Sequence, residues 1–359
     1  MNRLKLGLVF GGKSPEHDIS IRSARNIAAA LDPAKYEIIL IGISRSGAWV
    51  HATEAELREP GTEIGSQGKA LALLPGTSSP IAYRDGSHFD CPEVLFPITH
   101  GPMGEDGSLQ GLFHHLDLPF VGPDTLASAA AMDKDVTKRL LRDADLLVAP
   151  WLTFHSYEQH AIDFAAVINQ LGLPLFIKPA NMGSSVGVSR AANALEFASA
   201  VETAFQFDTK ILVEQAIVGR ELECAVMGNG EIAASSIGEV GMTTDDFYDY
   251  ESKYESDDAA NILIPAPNLD DQTLAKLILV AKSAYQTIGC EGMTRVDMFL
   301  TDDGSVYVNE LNTLPGFTNI SMYPKLWEHA GTGYAELLDE LVSLAISRGE
   351  RDKLLKRGR

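Results

Sequence analysis

The chain has 359 residues, 45% hydrophobic and 22% charged, enough for two or three domains with full-sized cores and too apolar for a disordered chain. Its 29 Lys and Arg against 49 Asp and Glu leave a net charge of −20. That balance excludes the broad cationic face of a nucleic-acid or anionic-membrane binder, so an anionic ligand must be held by a few placed cations, backbone N–H groups or metal ions. Cys91, Cys224 and Cys290 lie far apart and none has metal-ligand spacing, the pattern of free thiols in a reducing compartment. The apolar run Leu6–Phe10 is too short for a signal-peptide core, and no stretch approaches the ~18 residues of a membrane span. A cytoplasmic location is expected.

In chain order, Leu4–Phe10 reads as a strand, Asp18–Leu31 as a helix, and Tyr36–Ile43 and Glu93–Ile98 as further strands. Apolar strands separated by helices predict a parallel sheet, with ligands beyond the carboxyl ends of its strands. Two glycine-rich turns occupy those ends, Gly11–His17 and His100–Gly107. The stretch Asp124–Asp143 reads as helical, then strand Leu173–Lys178, loop Pro179–Ser185, strand Val186–Ser189, helix Ala194–Phe205 and strand Lys210–Glu214. This predicts a small α+β unit in which a glycine loop joins two antiparallel strands. Strand Glu221–Met227, a polar insertion near Glu239–Asn261, helix Leu269–Ile288 and a hairpin over Met293–Asn312 follow. The helix Tyr334–Ser347 leads into a basic tail, Arg348–Arg359, expected as a solvated surface element.

Gly7-Leu8-Val9-Phe10-Gly11-Gly12-Lys13-Ser14 matches the phosphate-loop pattern G-x-x-x-x-G-K-[ST] but lacks its context. Leu-Val-Phe is the end of a buried strand, and Pro15 removes an N–H where a phosphate-binding helix would begin. The glycines read better as a turn that frees the next helix start.

The hairpin carries the strongest local deduction. Asp303-Gly304 is a preferred two-residue turn, so facing residues have numbers summing to 607. Asp297 then faces Glu310 and Arg295 faces Asn312, all four on one face of the ladder. Opposed carboxylates repel, and a bound dication such as Mg²⁺, its shell completed by phosphate oxygens, would remove the penalty. The alternative is a solvated sheet edge shielded by Arg295.

Lys178 at a strand end, followed by Gly183, Ser184, Ser185 and Gly187, offers a cation and a loop that lets backbone approach an anion. With this loop, the set Gly11–Ser20, His100-Gly101, Gly104–Gly107, Met132-Asp133-Lys134, Lys178-Pro179, Phe247–Tyr254, Arg295-Val296-Asp297 and Asn309–Gly316 runs through the whole chain. In that order the motifs resemble the ATP-grasp superfamily and, within it, the D-alanine–D-alanine ligases.

The resemblance implies an α/β fold of three domains: a Rossmann-like parallel-sheet domain over residues 1–122, a central domain over 123–214, and a C-terminal catalytic domain over 215–359 with a lid at about 239–261. ATP is expected between the second and third. By resemblance Lys134, Lys178 and the Ser185 loop meet its phosphates, Glu214 and the backbone near Ile217 frame adenine, and Glu221 takes the ribose hydroxyls. Asp297, Glu310 and Asn312 are expected to hold two Mg²⁺ ions, for which Mn²⁺ can substitute, and Lys253 to reach the γ-phosphate from the lid. The reaction implied phosphorylates a first D-alanine, whose acyl phosphate is attacked by the amine of a second. Glu16, at a helix start where a carboxylate is favoured, is expected to bind the first ammonium; its alternative is a plain helix-capping acid. Arg295 and the Gly316 N–H are the expected oxyanion donors, Ser321 and Met322 receive the second carboxylate, and His100 positions substrate or moves a proton. The family pattern joins Glu16, Ser184 and Tyr254 in a triad, and a tyrosine in the lid resembles ligases that use D-alanine rather than D-lactate as acceptor. It also implies a homodimer. Gln215 departs from the lysine many members carry there.

Overall fold

The computed structural model describes residues 3–59, 61–241 and 261–356. Three sheets organise them. The first has strands β1 (Leu4–Gly11), β2 (Tyr36–Ile43), β3 (Trp49–His51), β4 (Lys69–Leu73), β5 (Ile81–Tyr83) and β6 (Val94–Pro97) in the order β5-β4-β3-β2-β1-β6. Only β2, β1 and β6 run parallel; β3, β4 and β5 form an antiparallel meander on the outer edge. The three strands read from the sequence are thus parallel as expected, and the meander adds three antiparallel strands to their sheet. The meander strands are short and carry little alternation, which is why the sequence hid them. Helix α1 (His17–Ala30) packs on β1 and buries Ile19, Ala24 and Ile27. Helices α2 (Glu54–Arg58) and α3 (Ser108–His115) complete this region.

The predicted helix over Asp124–Asp143 is two helices, α4 (Thr125–Met132) and α5 (Lys134–Asp143). The break is Asp133, which caps α5 by accepting from the N–H groups of Asp135 and Val136 at 3.1 Å. The second sheet, β7 (Trp151–His155), β8 (Leu175–Pro179), β9 (Ser189–Ala191) and β10 (Lys210–Gln215), is antiparallel in the order β7-β10-β8-β9. Strand β9 begins three residues later than Val186, because Gly183–Val188 is spent on the loop and its turns. Helices α6 (Phe164–Leu171) and α7 (Ala194–Ala204) supply buried apolar residues to its core.

The third sheet, β11 (Arg220–Gly228), β12 (Ala233–Gly241), β13 (Asn261–Leu263), β14 (Gly292–Leu300) and β15 (Val306–Asn312), is antiparallel in the order β13-β12-β11-β14-β15. The ends of the expected insertion, Glu239–Gly241 and Asn261–Leu263, are paired strands of this sheet rather than loop. The rest of the expected lid, with Lys253 and Tyr254, lies outside the described residues. Even-numbered residues of β11 and β14, including Leu222, Cys224, Val296 and Met298, pack against helix α8 (Asp271–Ile288), leaving odd-numbered residues on the other face.

The hairpin turn differs from expectation. Leu300 faces Val306 and Met298 faces Val308, a sum of 606, around a three-residue turn closed by Gly304 at φ 79°. Asn309 then bulges, restoring the sum of 607 for Asp297–Glu310 and Arg295–Asn312. The apolar pattern requires the bulge: Val306, Val308 and Leu311 are all core residues, and perfect alternation cannot bury both 308 and 311. Helix α9 (Met322–His329) is followed by α10 (Tyr334–Lys353), which runs well past Ser347. Arg348, expected in a solvated tail, is buried and donates to the carbonyls of Gly122 and Phe120 at 2.6 Å. It satisfies the backbone at the crossing from the first sheet to the rest of the molecule.

Candidate active site

The odd-numbered face of the third sheet builds the site. Glu223, Asp297 and Glu310 face one another across three neighbouring strands, with Ala225, Arg295 and Asn312 in the adjoining row. Three carboxylates side by side are strongly unfavourable without counter-charge. Arg295 supplies one: its Nε and Nη2 donate to the two oxygens of Asp297 at 2.7 and 2.6 Å, and Nε is 3.0 Å from Glu223. Burial opposes its charge, yet Asp297 and Glu223 hold the guanidinium well above the ordinary arginine range. Asn312 Nδ2 donates to Asp297 Oδ2 at 2.9 Å. Asp297 is buried on a central strand, so the solvated-edge alternative fails. Among the described residues no group of three His, Cys, Asp or Glu is placed as a metal cluster; this set is two carboxylates and an amide.

Glu16 enters from the first sheet. It is the residue before α1 but makes no capping bond with its side chain. Its Oε1 instead accepts from Ser184 Oγ in the glycine loop, which rejects the plain capping acid. Ser184 and Ser185 hold left-handed backbone at φ 50° and 59°, conformations that cost energy outside glycine. At Gly183 a side chain would begin 3.3 Å from Glu16 Oε2, a close approach that would push that carboxylate aside.

Glu105, quoted above only within a motif, is a second carboxylate here. It accepts from Gly101 N–H at 2.9 Å and Leu314 N–H at 3.3 Å, joining the first sheet's loop to the segment after β15. Burial, with Glu16 and Glu310 nearby, pushes its carboxyl up to about 8. His100 is buried, with Nδ1 3.0 Å from Leu314 O and Nε2 3.5 Å from Ser23 Oγ. Burial lowers its pKa below the ordinary range. Its neutral ring therefore donates from Nδ1 to the carbonyl. Ser321 and Met322 open α9 at the far wall, where Ser321 Oγ accepts from Thr318 N–H at 3.0 Å.

These groups line two connected chambers. The acidic one is bounded by Glu16, His100, Glu105, Glu223, Arg295, Asp297, Asn312, Gly316, Ser321 and Met322. The other is bounded by Lys134, Lys178, Ser185, Glu214 and Ile217, with Phe176, Val188 and Phe299 as apolar walls. Gly183, Ser184, Glu221 and Glu310 line both. Lys134 donates to Met182 O at 2.6 Å and stands 3.9 Å from Glu310; Lys178 pairs with Glu214 at 2.7 Å. Every site residue expected from sequence and described in the structure thus falls on one crevice. Glu223 and Lys138 were missed. The alternation Glu221-Leu222-Glu223-Cys224 on a strand could have revealed Glu223.

The description "D-ala D-ala ligase N-terminus" matches residues 5–123 and "D-ala D-ala ligase C-terminus" matches residues 140–343. D-alanine–D-alanine ligase A of Escherichia coli is 49% identical over 99% of each chain. The chain belongs to the D-alanine–D-alanine ligase family. Its ATP-grasp architecture agrees with the solved D-alanine–D-alanine ligase of Coxiella burnetii, 35% identical over 98% of this chain and 97% of that one, TM-score 0.83. The VanG D-Ala:D-Ser ligase of Enterococcus faecalis is 34% identical, covering 96% and 100%, TM-score 0.85. Within the family, then, backbone similarity does not separate acceptors. No helix among the described residues is long and apolar enough to cross a membrane.

Proposed function

We propose that the protein joins two D-alanine molecules into D-alanyl-D-alanine for peptidoglycan synthesis, converting ATP to ADP and phosphate. The observation that carries this reading is the contact of a lysine-bearing, apolar-walled chamber with an acidic chamber across Glu221, Glu310 and the Gly183-Ser184 loop. A nucleotide in the first would place its terminal phosphate beside an amino acid in the second. In the first step a carboxylate oxygen of one D-alanine attacks the γ-phosphorus; the bond from that phosphorus to the bridging oxygen breaks and ADP leaves. The amine of the second D-alanine then adds to the acyl carbon, loses its proton and expels phosphate.

Each chamber supplies what its step needs. Lys134, Lys178 and the Ser185 loop offset the charge of the phosphates, as positioned cations do in phosphoryl transfer. Glu214 and the Ile217 backbone take the adenine and Glu221 the ribose. Glu16, steadied by Ser184, binds the first ammonium beside Glu105, whose carboxyl is pushed up by burial and by Glu16 and Glu310. Arg295 and the Gly316 N–H face the oxyanion of the addition step, and Ser321 and Met322 receive the second carboxylate. His100, neutral and engaged at both ring nitrogens, positions Leu314 and the wall rather than carrying a proton. The family resemblance gives Lys253 a γ-phosphate role and has Tyr254 favour D-alanine as acceptor; both lie outside the described residues.

Asp297, Glu310 and Asn312 would hold the divalent ions. Two carboxylates and an amide oxygen are hard donors suited to Mg²⁺ or Mn²⁺, and the Glu223–Asp297–Glu310 row has excess negative charge that Arg295 offsets only in part. Two such ions would supply charge neutralisation at the phosphates. The same reading puts the enzyme in the cytoplasm as a homodimer, without nucleic-acid or membrane partners.

Phosphate release from ATP with D-alanine, L-alanine or no amino acid tests the reaction. Release with D-alanine alone is expected; equal release in all three overturns it. With D-alanine, D-serine and D-lactate supplied together, D-alanyl-D-alanine should be the main product.

A further inference from the structure

The most deeply buried cation beside the lysine chamber is one the reading above leaves without a task. Lys138 lies four residues after Lys134 on α5, on the same side of the helix. Its side chain is 2% exposed, and it stands behind the chamber wall that Lys178 and Glu214 form. Lys138 Nζ is 3.2 Å from Glu214 Oε1 and donates to Ala149 O at 3.2 Å. Lys178 Nζ is 2.7 Å from the other Glu214 oxygen. One carboxylate therefore sits between two ammoniums, one reachable from the chamber and one sealed behind it.

This arrangement matters when a phosphate arrives. A phosphate that draws Lys178 towards it weakens the Lys178–Glu214 pair, and a buried carboxylate that loses its partner is strongly disfavoured. We propose that Lys138 is a positioning residue that keeps Glu214 paired, so that Lys178 can exchange Glu214 for a nucleotide phosphate. The inference rests on the ATP reading. The charges fit it. Although burial pulls the other way, Lys138 and Lys178 together hold the Glu214 carboxyl down at about 2. Burial lowers Lys138 below the ordinary lysine range, with Glu214 opposing that shift and Lys178 adding to it. Lys138 is thus costly to keep charged, and its partners are Glu214, the Ala149 carbonyl and the Trp151 ring, whose centroid is 5.6 Å away.

The test is a cycle of Lys138→Met, Glu214→Gln and the double variant, read by calorimetric ADP binding and by KM for ATP and for D-alanine. Lys138→Met should weaken ADP binding and raise KM for ATP by at least about tenfold, leaving KM for D-alanine within about twofold. In the Glu214→Gln background the same substitution should cost less than about twofold, because no buried carboxylate then needs a partner. Wild-type binding by Lys138→Met, or an equal loss in both backgrounds, overturns the proposal. Should the single variant fail to fold, the Glu214→Gln pair still decides: an additional tenfold loss in the double variant overturns it. Absence of ADP binding by the wild type would instead overturn the ATP reading.

Discussion

The two chambers treat charge in opposite ways. In the lysine chamber the buried ions compensate one another, Lys138 and Lys178 around Glu214, so the pocket is settled before a ligand enters. In the acidic chamber Glu223, Asp297, Glu310 and Glu16 converge around Arg295, and Glu105 among them is pushed up towards its neutral form. The first is built to receive an anion without rearranging many groups. The second gathers the oxygen-bearing groups that, in the proposed reading, would hold an ammonium and metal ions.

The sharpest way to break this contrast is to remove acid from the row. Asp297→Asn or Glu310→Gln should lower Mg²⁺-dependent kcat by about 10²–10³-fold, the range for losing one strong electrostatic contact in a transition state, with circular dichroism unchanged. Turnover at the wild-type rate would remove the row from the chemistry. A smaller effect should come from Glu16→Gln, which raises KM for D-alanine by about tenfold or more while KM for ATP stays close to wild type. A parallel rise in both constants would show that the chambers are not separable in this way.

The smallest effect concerns pH and the ligand-free protein. Glu105 titrates near 8 in the folded protein and near the ordinary glutamate value when unfolded, so below about 4.5 it contributes no difference. Between these values only the folded form keeps the proton, and stability falls as pH rises through the window. Glu105→Gln should flatten that fall in melting temperature, and D-alanine with Mg²⁺ should flatten it in the wild type. An unchanged slope in the variant would place the pH dependence elsewhere.

Much of this site could be read from the sequence because its residues lie where local rules are strong. The glycine loop follows from small residues after a strand-end lysine, whereas Asp297 opposite Glu310 is reached through the wrong turn and holds only because Asn309 bulges. The rest depended on contacts between distant segments. The stretch Asp124–Asp143 reads as one helix because the break lies in a single residue, Asp133, that ends α4 and caps α5. Lys138 sits on the buried stripe with Thr137 and Leu141, a position where a lysine is rare and therefore informative. Arg348 was read as tail because its burial comes from the Phe120–Gly122 carbonyls, more than 200 residues away in sequence.

The spare residue at Asn309 has a consequence for how this ribbon can change. Valine side chains at its tip and oxygen-bearing ones at its base must point to opposite sides of the same strand, and a strictly alternating chain cannot deliver both. Removing Asn309 would set Val308 directly beside Glu310, so a regular ladder would keep Val306 and Val308 in the core and Glu310 opposite Asp297 with no bulge. That unpaired position can therefore be lost with both faces kept, whereas a one-residue change elsewhere between the tip and Asn312 turns one face over.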